Sequence, residues 1–480
     1  MNFALLGFIL YLIIILVVGF LTYRRNKTHK DFFIAGRQLN SWVVAFSERA
    51  SGESAWLLLG LPGAAYAAGL VKFWTALGCV LGIIFYWFYI AEDLRKESEK
   101  YQAFTLPTFL ASRFEKGQSA IRILATFIII FFFLFYLSAQ FNGAGKILHV
   151  TFGIDQTVGM IIGACVIIFY TMMGGFFAVA WTDMVQGIIM IGTLVILPLT
   201  GLFELLELET AEPLFKNLLN ERGIRLTSFT GEETGWAAAA MIISGLSWAF
   251  GYMGQPHLLI RFMSIRKPEK IKISRRIAIA WAIPAFAGAI LIGMVGAALY
   301  GQGLFDDIEK IMPFMAMKLL PAWIAGIFVS GAIAAMMSTA DSQLLVISSS
   351  VIEDFFHQTL GINVSDTLLL RASRVITILI GIIGFTIAVT SDKLIFSMVS
   401  YAWAGLGSSF GPALLLLLKW KKVSFQGVIA GLITGFLTTV IWSEISLLDQ
   451  WISVRFASFI ISFLIVLFVS KLTYNQNKRQ

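Results

Sequence analysis

The sequence predicts an all-α polytopic membrane protein of about thirteen transmembrane helices in one membrane domain over 1–480, and three observations predict it. Hydrophobic residues fill 58% of the positions and charged residues only 13%, where a globular chain carries about 25% charged. The apolar residues form continuous runs of the length that crosses ~30 Å of hydrocarbon, roughly 20 residues, rather than the ten-residue alternation of a barrel. No stretch between the runs is long enough for a separate soluble domain. A soluble enzyme, a nucleic-acid binder and a secreted disulfide module are all excluded. Cys79 and Cys165 lie inside apolar stretches and read as small hydrophobes.

The first run, 3–23, has no basic segment before it and leads into Tyr23-Arg24-Arg25-Asn26-Lys27 rather than a small-residue cleavage site. It therefore reads as a permanent span and not a signal peptide. Further spans are expected near 41–67, 71–93, 119–147, 156–180, 183–204, 234–260, 277–302, 321–350, 369–390, 394–418, 423–442 and 452–470. An odd number puts the termini on opposite sides. With the amino terminus outside, inner segments hold 26 basic residues, including Arg24, Arg25, Lys27, Lys30, Arg37 and seven in 261–276. Outer segments and span ends hold nine, and Arg49 is the one left over. The positive-inside rule thus places the amino terminus outside and the carboxyl terminus in the cytoplasm, in a plasma membrane. The same excess explains the net charge of +8, which is expected to meet anionic lipid rather than nucleic acid. The long outer loop 205–233 carries Glu207, Glu209, Glu212, Glu221, Glu232 and Glu233, as a loop of that length is free to do.

A charge at mid-membrane costs about 2.5 kcal/mol or more, so the few ionisable residues inside spans are functional candidates. They are Glu48, Arg49 and Glu53 in the second span, Asp183 at the start of the sixth and Asp341 in the ninth. The second span reads Ser47-Glu48-Arg49-Ala50-Ser51-Gly52-Glu53-Ser54-Ala55-Trp56, a small and polar string that predicts unwinding near Ala50 to Ser54. Carbonyls freed at that depth are ready cation ligands. The seventh span has a comparable interruption at Trp248, Gly251, Tyr252, Gly254, Gln255 and Pro256. Two broken helices, one early in each half, predict an inverted-repeat secondary transporter with five spans per repeat. The repeats are expected over 41–204 and 234–418, with the 3–23 helix and two helices over 423–470 outside them. In the ninth span Ser338, Asp341 and Ser342 stand at i, i+3 and i+4, with Thr339 one position round. That face offers oxygens to a hard cation, although hydroxyls also serve as glue between helices.

Several stretches carry a specific resemblance when taken together and in order. They are Ala35-Gly36-Arg37, Ser54-Ala55-Trp56 with Gly60-Leu61-Pro62-Gly63, and Gly174-Gly175-Phe176-Phe177-Ala178-Val179-Ala180-Trp181-Thr182-Asp183. Gly254-Gln255-Pro256-His257, Met337-Ser338-Thr339 and Ser400-Tyr401-Ala402-Trp403-Ala404-Gly405 complete the set. From about Phe33 to about Trp420 the chain resembles the sodium:solute symporter family, most closely its sodium/proline symporters. The resemblance implies a LeuT-type five-plus-five core and symport of sodium with a small zwitterionic solute, proline first, by alternating access, with no other cofactor. It implies a sodium ion held by the carbonyls of Ala50, Glu53 and Ala335 and the hydroxyls of Ser338 and Thr339. A second cation would fall on Asp183, Ser338, Asp341 and Ser342, and the solute on Ser54, Ala55, Tyr136, Trp248, Tyr252 and Pro256.

The chain also departs from that pattern. Sodium/proline symporters usually carry Asp at the position of Gly52 and a neutral residue at that of Glu53, and lack the Glu48-Arg49 pair. Arg49 and Glu53, at i, i+4, are therefore coupling candidates that either neutralise each other or give the site its own acidic group. In the latter case Glu53 stands in for the missing Asp beside the cation, or carries a proton in a proton-coupled symporter. His29, His149, His257 and His357 share no metal-ligand spacing and are expected at surfaces or interfaces. The chain shows neither a phosphate-binding loop of the Walker type nor a nucleophile–base constellation, so an enzyme is not expected.

Overall fold

The computed structural model describes residues 3–23, 34–173, 175–207, 218–219, 223–362 and 365–477. Arg24, Arg25, Lys27, His29, Lys30, Gly174, Glu209, Glu212, Glu221, Lys478 and Arg479, which entered the expectations above, lie outside the described residues.

Helix α1 spans Phe3–Tyr23. The second apolar run divides into α2 (Ser41–Ala55), a wide π turn over Trp56–Gly60 and α3 (Leu61–Ala68), and α4 is Phe73–Tyr89. Short helices α5 (Ala91–Lys100) and α6 (Leu106–Ala111) precede α7 (Gln118–Phe152), α8 (Gln156–Met173) and α9 (Phe176–Leu206). The seventh expected span is broken into α10 (Gly235–Leu246), α11 (Trp248–Gly251), a tight turn over Tyr252–Gly254 and α12 (Pro256–Ser264). Then come α13 (Ile271–Tyr300), α14 (Ile311–Leu319), α15 (Ala322–Ser349), α16 (Asp366–Thr390) and α17 (Ile395–Lys419). The chain closes with α18 (Phe425–Glu444), α19 (Ser446–Trp451) and α20 (Val454–Asn477).

Local chemistry sets several of these ends. Asn40 Oδ1 accepts the backbone N–H of Trp42 and Val43, both at 3.0 Å, and so starts α2. Gly153 at φ +67° and Gly301 at φ +73° close α7 and α13. Among the described residues ten stretches are long and apolar enough to cross a membrane, one of which, Ser41–Tyr89, takes in α2 to α4. Two shorter apolar helices, Phe3–Gly19 and Gln156–Met172, stand at the first and fifth expected spans. The boundary between the fifth and sixth spans differs from expectation. The sequence reading carries the fifth span to 180 and starts the sixth at 183, whereas α8 ends at Met173 and α9 begins at Phe176. Apolar residues flank this turn on both sides, so hydropathy alone does not mark it. Asp183 accordingly lies two turns inside α9.

Large apolar side chains on the outside, such as Leu16, Phe169, Phe203 and Ile382, face the bilayer. Helix α15 is buried from Ala325 onward with the exception of Ile327 and touches α1, α2, α7 and α9. It is the axis around which the others are arranged. Behind it, between α1, α7 and α8, lies an apolar cavity of about 110 Å³ lined by Phe8, Leu12, Leu148, Ile167, Met336 and Met337.

Candidate cation and solute site

Helix α2 is helical through Ala55 at every residue but Ser54, whose φ of +40° and ψ of −163° interrupt it. A side chain is strained in that region, so the surroundings must hold it. Trp56 N–H donates to Ser54 Oγ at 3.3 Å, and Tyr136 Oη donates to the same oxygen at 3.3 Å. The carbonyl of Gly52 faces side chains: Trp56 Nε1 donates to it at 3.2 Å and Tyr136 Oη lies 3.4 Å away. The expected unwinding over Ala50 to Ser54 thus narrows to one residue. The small residues before it serve close approach: Ser47 and Ser51 reach α9 and α15 directly.

The structure brings together four of the five expected ligands of the first cation. Ser338 Oγ lies 3.1 Å from Ala50 O and 3.0 Å from Ala335 O. Thr339 Oγ1 donates to Ser51 O at 2.9 Å, and Ser51 Oγ donates to Ser338 O at 2.9 Å. A hydroxyl has one proton, so Ser338 Oγ donates to only one of these two carbonyls at a time. The second lone pair of each carbonyl is what a small cation would use. Glu53 is set apart: its carbonyl accepts the N–H of Trp56, and its carboxylate turns toward Arg49 and Tyr252.

Those acidic and basic groups form a buried cluster. Arg49 donates Nε to Glu48 Oε2 at 2.7 Å, forms a second, very short contact with Glu48 Oε1, and donates Nη1 to Glu53 Oε1 at 2.6 Å. Tyr86 Oη accepts from Arg49 at 2.6 Å, Trp87 Nε1 donates to Glu48 Oε2 at 3.1 Å, and Tyr252 Oη lies 3.2 Å from both Glu53 oxygens. All three charged side chains are fully buried. Two carboxylates around one guanidinium leave a formal charge of −1, so Arg49 and Glu53 do pair but do not balance the cluster.

The residues of the expected second cation site also meet, around a residue that the sequence reading misplaces. Arg261 falls in the inner basic segment 261–276 by chain position, yet it is fully buried. Its Nη2 lies 2.8 Å from Asp183 Oδ2, 2.5 Å from Ser51 Oγ and 2.6 Å from Ser342 Oγ, with two hydrogens to share among them, and its Nε donates to Ser47 Oγ at 2.8 Å. Asp341 Oδ1 accepts from Ser342 Oγ at 3.3 Å. Asp183 Oδ1 and Asp341 Oδ2 find no hydrogen-bond partner among the described residues.

The expected solute residues close into an aromatic enclosure. Trp56 and Trp248 stack with centroids 4.8 Å apart, and Tyr252 meets Trp403 edge-on at 4.5 Å. Tyr136 and Trp403 are 6.5 Å apart. Ser54 and Ala55 sit at the break beside it, with Ala55 N–H donating to Gln140 Oε1 at 3.2 Å, and Pro256 opens α12. Trp56 and Trp403 are missing from the expected set although both stand in the motifs that carry the resemblance. His257 is buried, edge-on to Phe133 at 5.3 Å and Tyr136 at 5.9 Å. It is an interior residue, not a surface one.

Residues 32–435 match the sodium:solute symporter family. The chain belongs to this family. It is 37% identical over 468 residues to the high-affinity proline transporter PutP of Bacillus subtilis, covering 95% of this chain and 96% of that one. It is 33% identical over 453 residues to the sodium/proline symporter of Escherichia coli, covering 92% and 88%. Among solved structures, a Na+-coupled sialic acid symporter in a substrate-bound outward-open state superposes with a TM-score of 0.77 at 18% identity, covering 99% and 98% of the two chains. MhsT in complex with L-phenylalanine superposes with a TM-score of 0.56 at 15% identity, covering 90% and 98%. The family member described here is thus a multi-pass membrane transporter with the LeuT-type fold.

Proposed function

We propose that the protein couples inward movement of sodium to uptake of proline, or of a zwitterion of similar size, across the plasma membrane, with its amino terminus outside. The observation that carries this reading is the convergence of Ala50 O, Ala335 O, Ser338 Oγ and the Thr339–Ser51 pair beside the break at Ser54. Sodium held there ties α2 to α15. The ordered break then presents Ser54 and Ala55 to the solute, with Tyr136, Trp248, Tyr252 and Pro256 around it. An ion biases two states only through different affinity for each, and a site shared by two helices that move apart has that property. Relatives named as proline transporters support the choice of solute, and a compact apolar ring suits walls of Trp and Tyr. The five-plus-five reading of 41–204 and 234–418 belongs to the same proposal. The test is uptake of labelled proline into proteoliposomes with and without an inward sodium gradient. Accumulation that follows sodium supports the reading, and accumulation indifferent to sodium rejects it.

One observation favours a second reading. The unbalanced charge of the Glu48–Arg49–Glu53 cluster would be neutralised by a proton on Glu53, which makes proton coupling the alternative.

A further inference from the structure

Helix α20 lies beyond residues 32–435, which match the family, and beyond both expected repeats. Its first turn nevertheless reaches the solute enclosure through Arg455. The guanidinium is buried and stands over the ring of Trp248, 4.7 Å from its centroid. Its Nε donates to Ser247 Oγ at 3.3 Å and its Nη2 to the carbonyl of Ser244 at 3.1 Å, both just before Trp248 in the chain. Its Nη1 makes a very short contact with Ser400 Oγ on α17. All three partners are neutral, and among the described residues no carboxylate lies within ion-pair distance of Arg455. Asp449, the acid closest to it in sequence, accepts the backbone N–H of Val454 at 2.8 Å instead. A cation in the first turn of a helix also works against the dipole, which favours anions there. Buried charges are normally paired, so this one is placed to receive an anion that the chain does not supply.

The free donors indicate which kind of anion. A guanidinium has five N–H hydrogens, and these three bonds leave one on each Nη. Two N–H donors on one planar group match a carboxylate, which accepts bidentate bonds. A third donor stands on α17, one turn along from Ser400: Trp403 is buried 6.0 Å from Trp248, and its Nε1 finds no hydrogen-bond partner among the described residues. Lys72 adds positive charge, standing 5.4 Å over Phe396, which lies 5.1 Å from Trp248. The opposite sign appears four residues along the chain, where Tyr252 Oη lies 3.2 Å from both oxygens of Glu53. A cation beside Trp248 and a carboxylate beside Tyr252 give the enclosure a polarity complementary to a zwitterion. We propose that Arg455 and Trp403 Nε1 bind the carboxylate of the solute on the Trp248 side of the enclosure, and that this contact selects free amino acids over their amides and esters.

This inference rests on the zwitterionic solute proposed above, and its test separates the two. Uptake of labelled proline into proteoliposomes under an inward sodium gradient is competed with unlabelled proline, prolinamide and proline methyl ester. The two analogues keep the ring and the amine and lack the carboxylate. The wild-type protein is expected to prefer proline to both by roughly tenfold or more, the scale of hydrogen bonds to a charged group. Arg455→Gln is expected to narrow that preference roughly tenfold, by weakening proline and not the analogues. Arg455→Lys keeps the charge but loses the planar fork, and is expected to narrow it less. A change that only loosened the Trp248 wall would weaken all three competitors alike and leave the preference where it was. An unchanged preference in folded Arg455→Gln therefore overturns the inference; should that variant not fold, an unchanged preference in Arg455→Lys does so. A wild-type protein that takes the analogues as well as proline overturns it without any variant. Absence of sodium-driven proline uptake by the wild type overturns instead the reading on which it rests.

Discussion

Ser338 has a single proton between two carbonyls, Ala50 O and Ala335 O. Replacing it by Ala removes an oxygen from the group without opening space. Loss of one such partner costs about 1–2 kcal/mol, roughly tenfold in affinity. Ser338→Ala is therefore expected to raise the half-saturating sodium concentration for uptake about tenfold or more, with the maximal rate at saturating sodium less affected. The same scale decides the fate of Glu53. In Glu53→Gln the cluster becomes neutral, and the amide still accepts from Tyr252 and Arg49. If sodium is the coupling ion, sodium-driven uptake survives this change; abolition of proton-driven uptake in the same variant would instead mark Glu53 as the proton carrier. The hydroxyls of Ser338 and Thr339 stand out in the sequence because adjacent helix positions in a span carry them, and the structure sets both against carbonyls of α2. Arg261 does not stand out, because a basic residue at the end of an apolar run looks like the start of a cytoplasmic segment, and only the fold carries it inward against Asp183.

At the scale of single elements, the break in α2 is a strained peptide at Ser54 held by the Tyr136 and Trp56 donors. A conformation of this kind costs a side chain of about 1–3 kcal/mol and glycine much less. Ser54→Gly is expected to keep the detergent-solubilised protein within about 1 kcal/mol of wild type, because relief of strain offsets the lost side-chain bonds. Ser54→Val, which is β-branched and cannot reach that region cheaply, should melt distinctly earlier. Equal melting temperatures for the two variants would show that the break carries no strain. The existence of this interruption was legible, since Ser, Gly and Glu in a row are poor filler for a membrane helix. Its width was not. Ser47 and Ser51 are polar because they cross to neighbouring helices, and a sequence does not distinguish a residue that loosens its own backbone from one that bonds to another. The boundary between α8 and α9 is hidden for a different reason: hydropathy has no minimum there, because the residues on either side, Met173 and Phe176, are apolar.

For the whole molecule, two groups of buried polar contacts tie distant segments together. At the end that the charge pattern assigns to the outside, Lys146 on α7 bonds Asp307 Oδ2 at 2.7 Å and Glu309 Oε2 at 2.5 Å. Glu309 also accepts the N–H of Ile395 at 3.0 Å and of Phe396 at 2.9 Å, at the first turn of α17. At the opposite end Arg37 donates to the carbonyls of Ser98 and Ala103, and Asp354 accepts from Thr105 and Thr108. Removing one partner of a buried ion pair costs about 3–5 kcal/mol. Glu309→Ala is expected to speed amide hydrogen exchange at Ile395 and Phe396 about a hundredfold or more, with α15 unchanged. Unaltered exchange at those two amides would show that the tie does not hold the first turn of α17.

The void beside Met336 and Met337 bears on how α15 itself can move. Interior groups are normally backed by atoms on every side, which makes a helix stiff against sideways travel. Here one flank of α15 is fastened by serines and a threonine, while the other leans on slack. In the sodium coupling proposed above, a displacement of this helix on loss of the ion has a direction built into it, away from α2 and toward the hollow, so the same helix can serve as clamp and as spring.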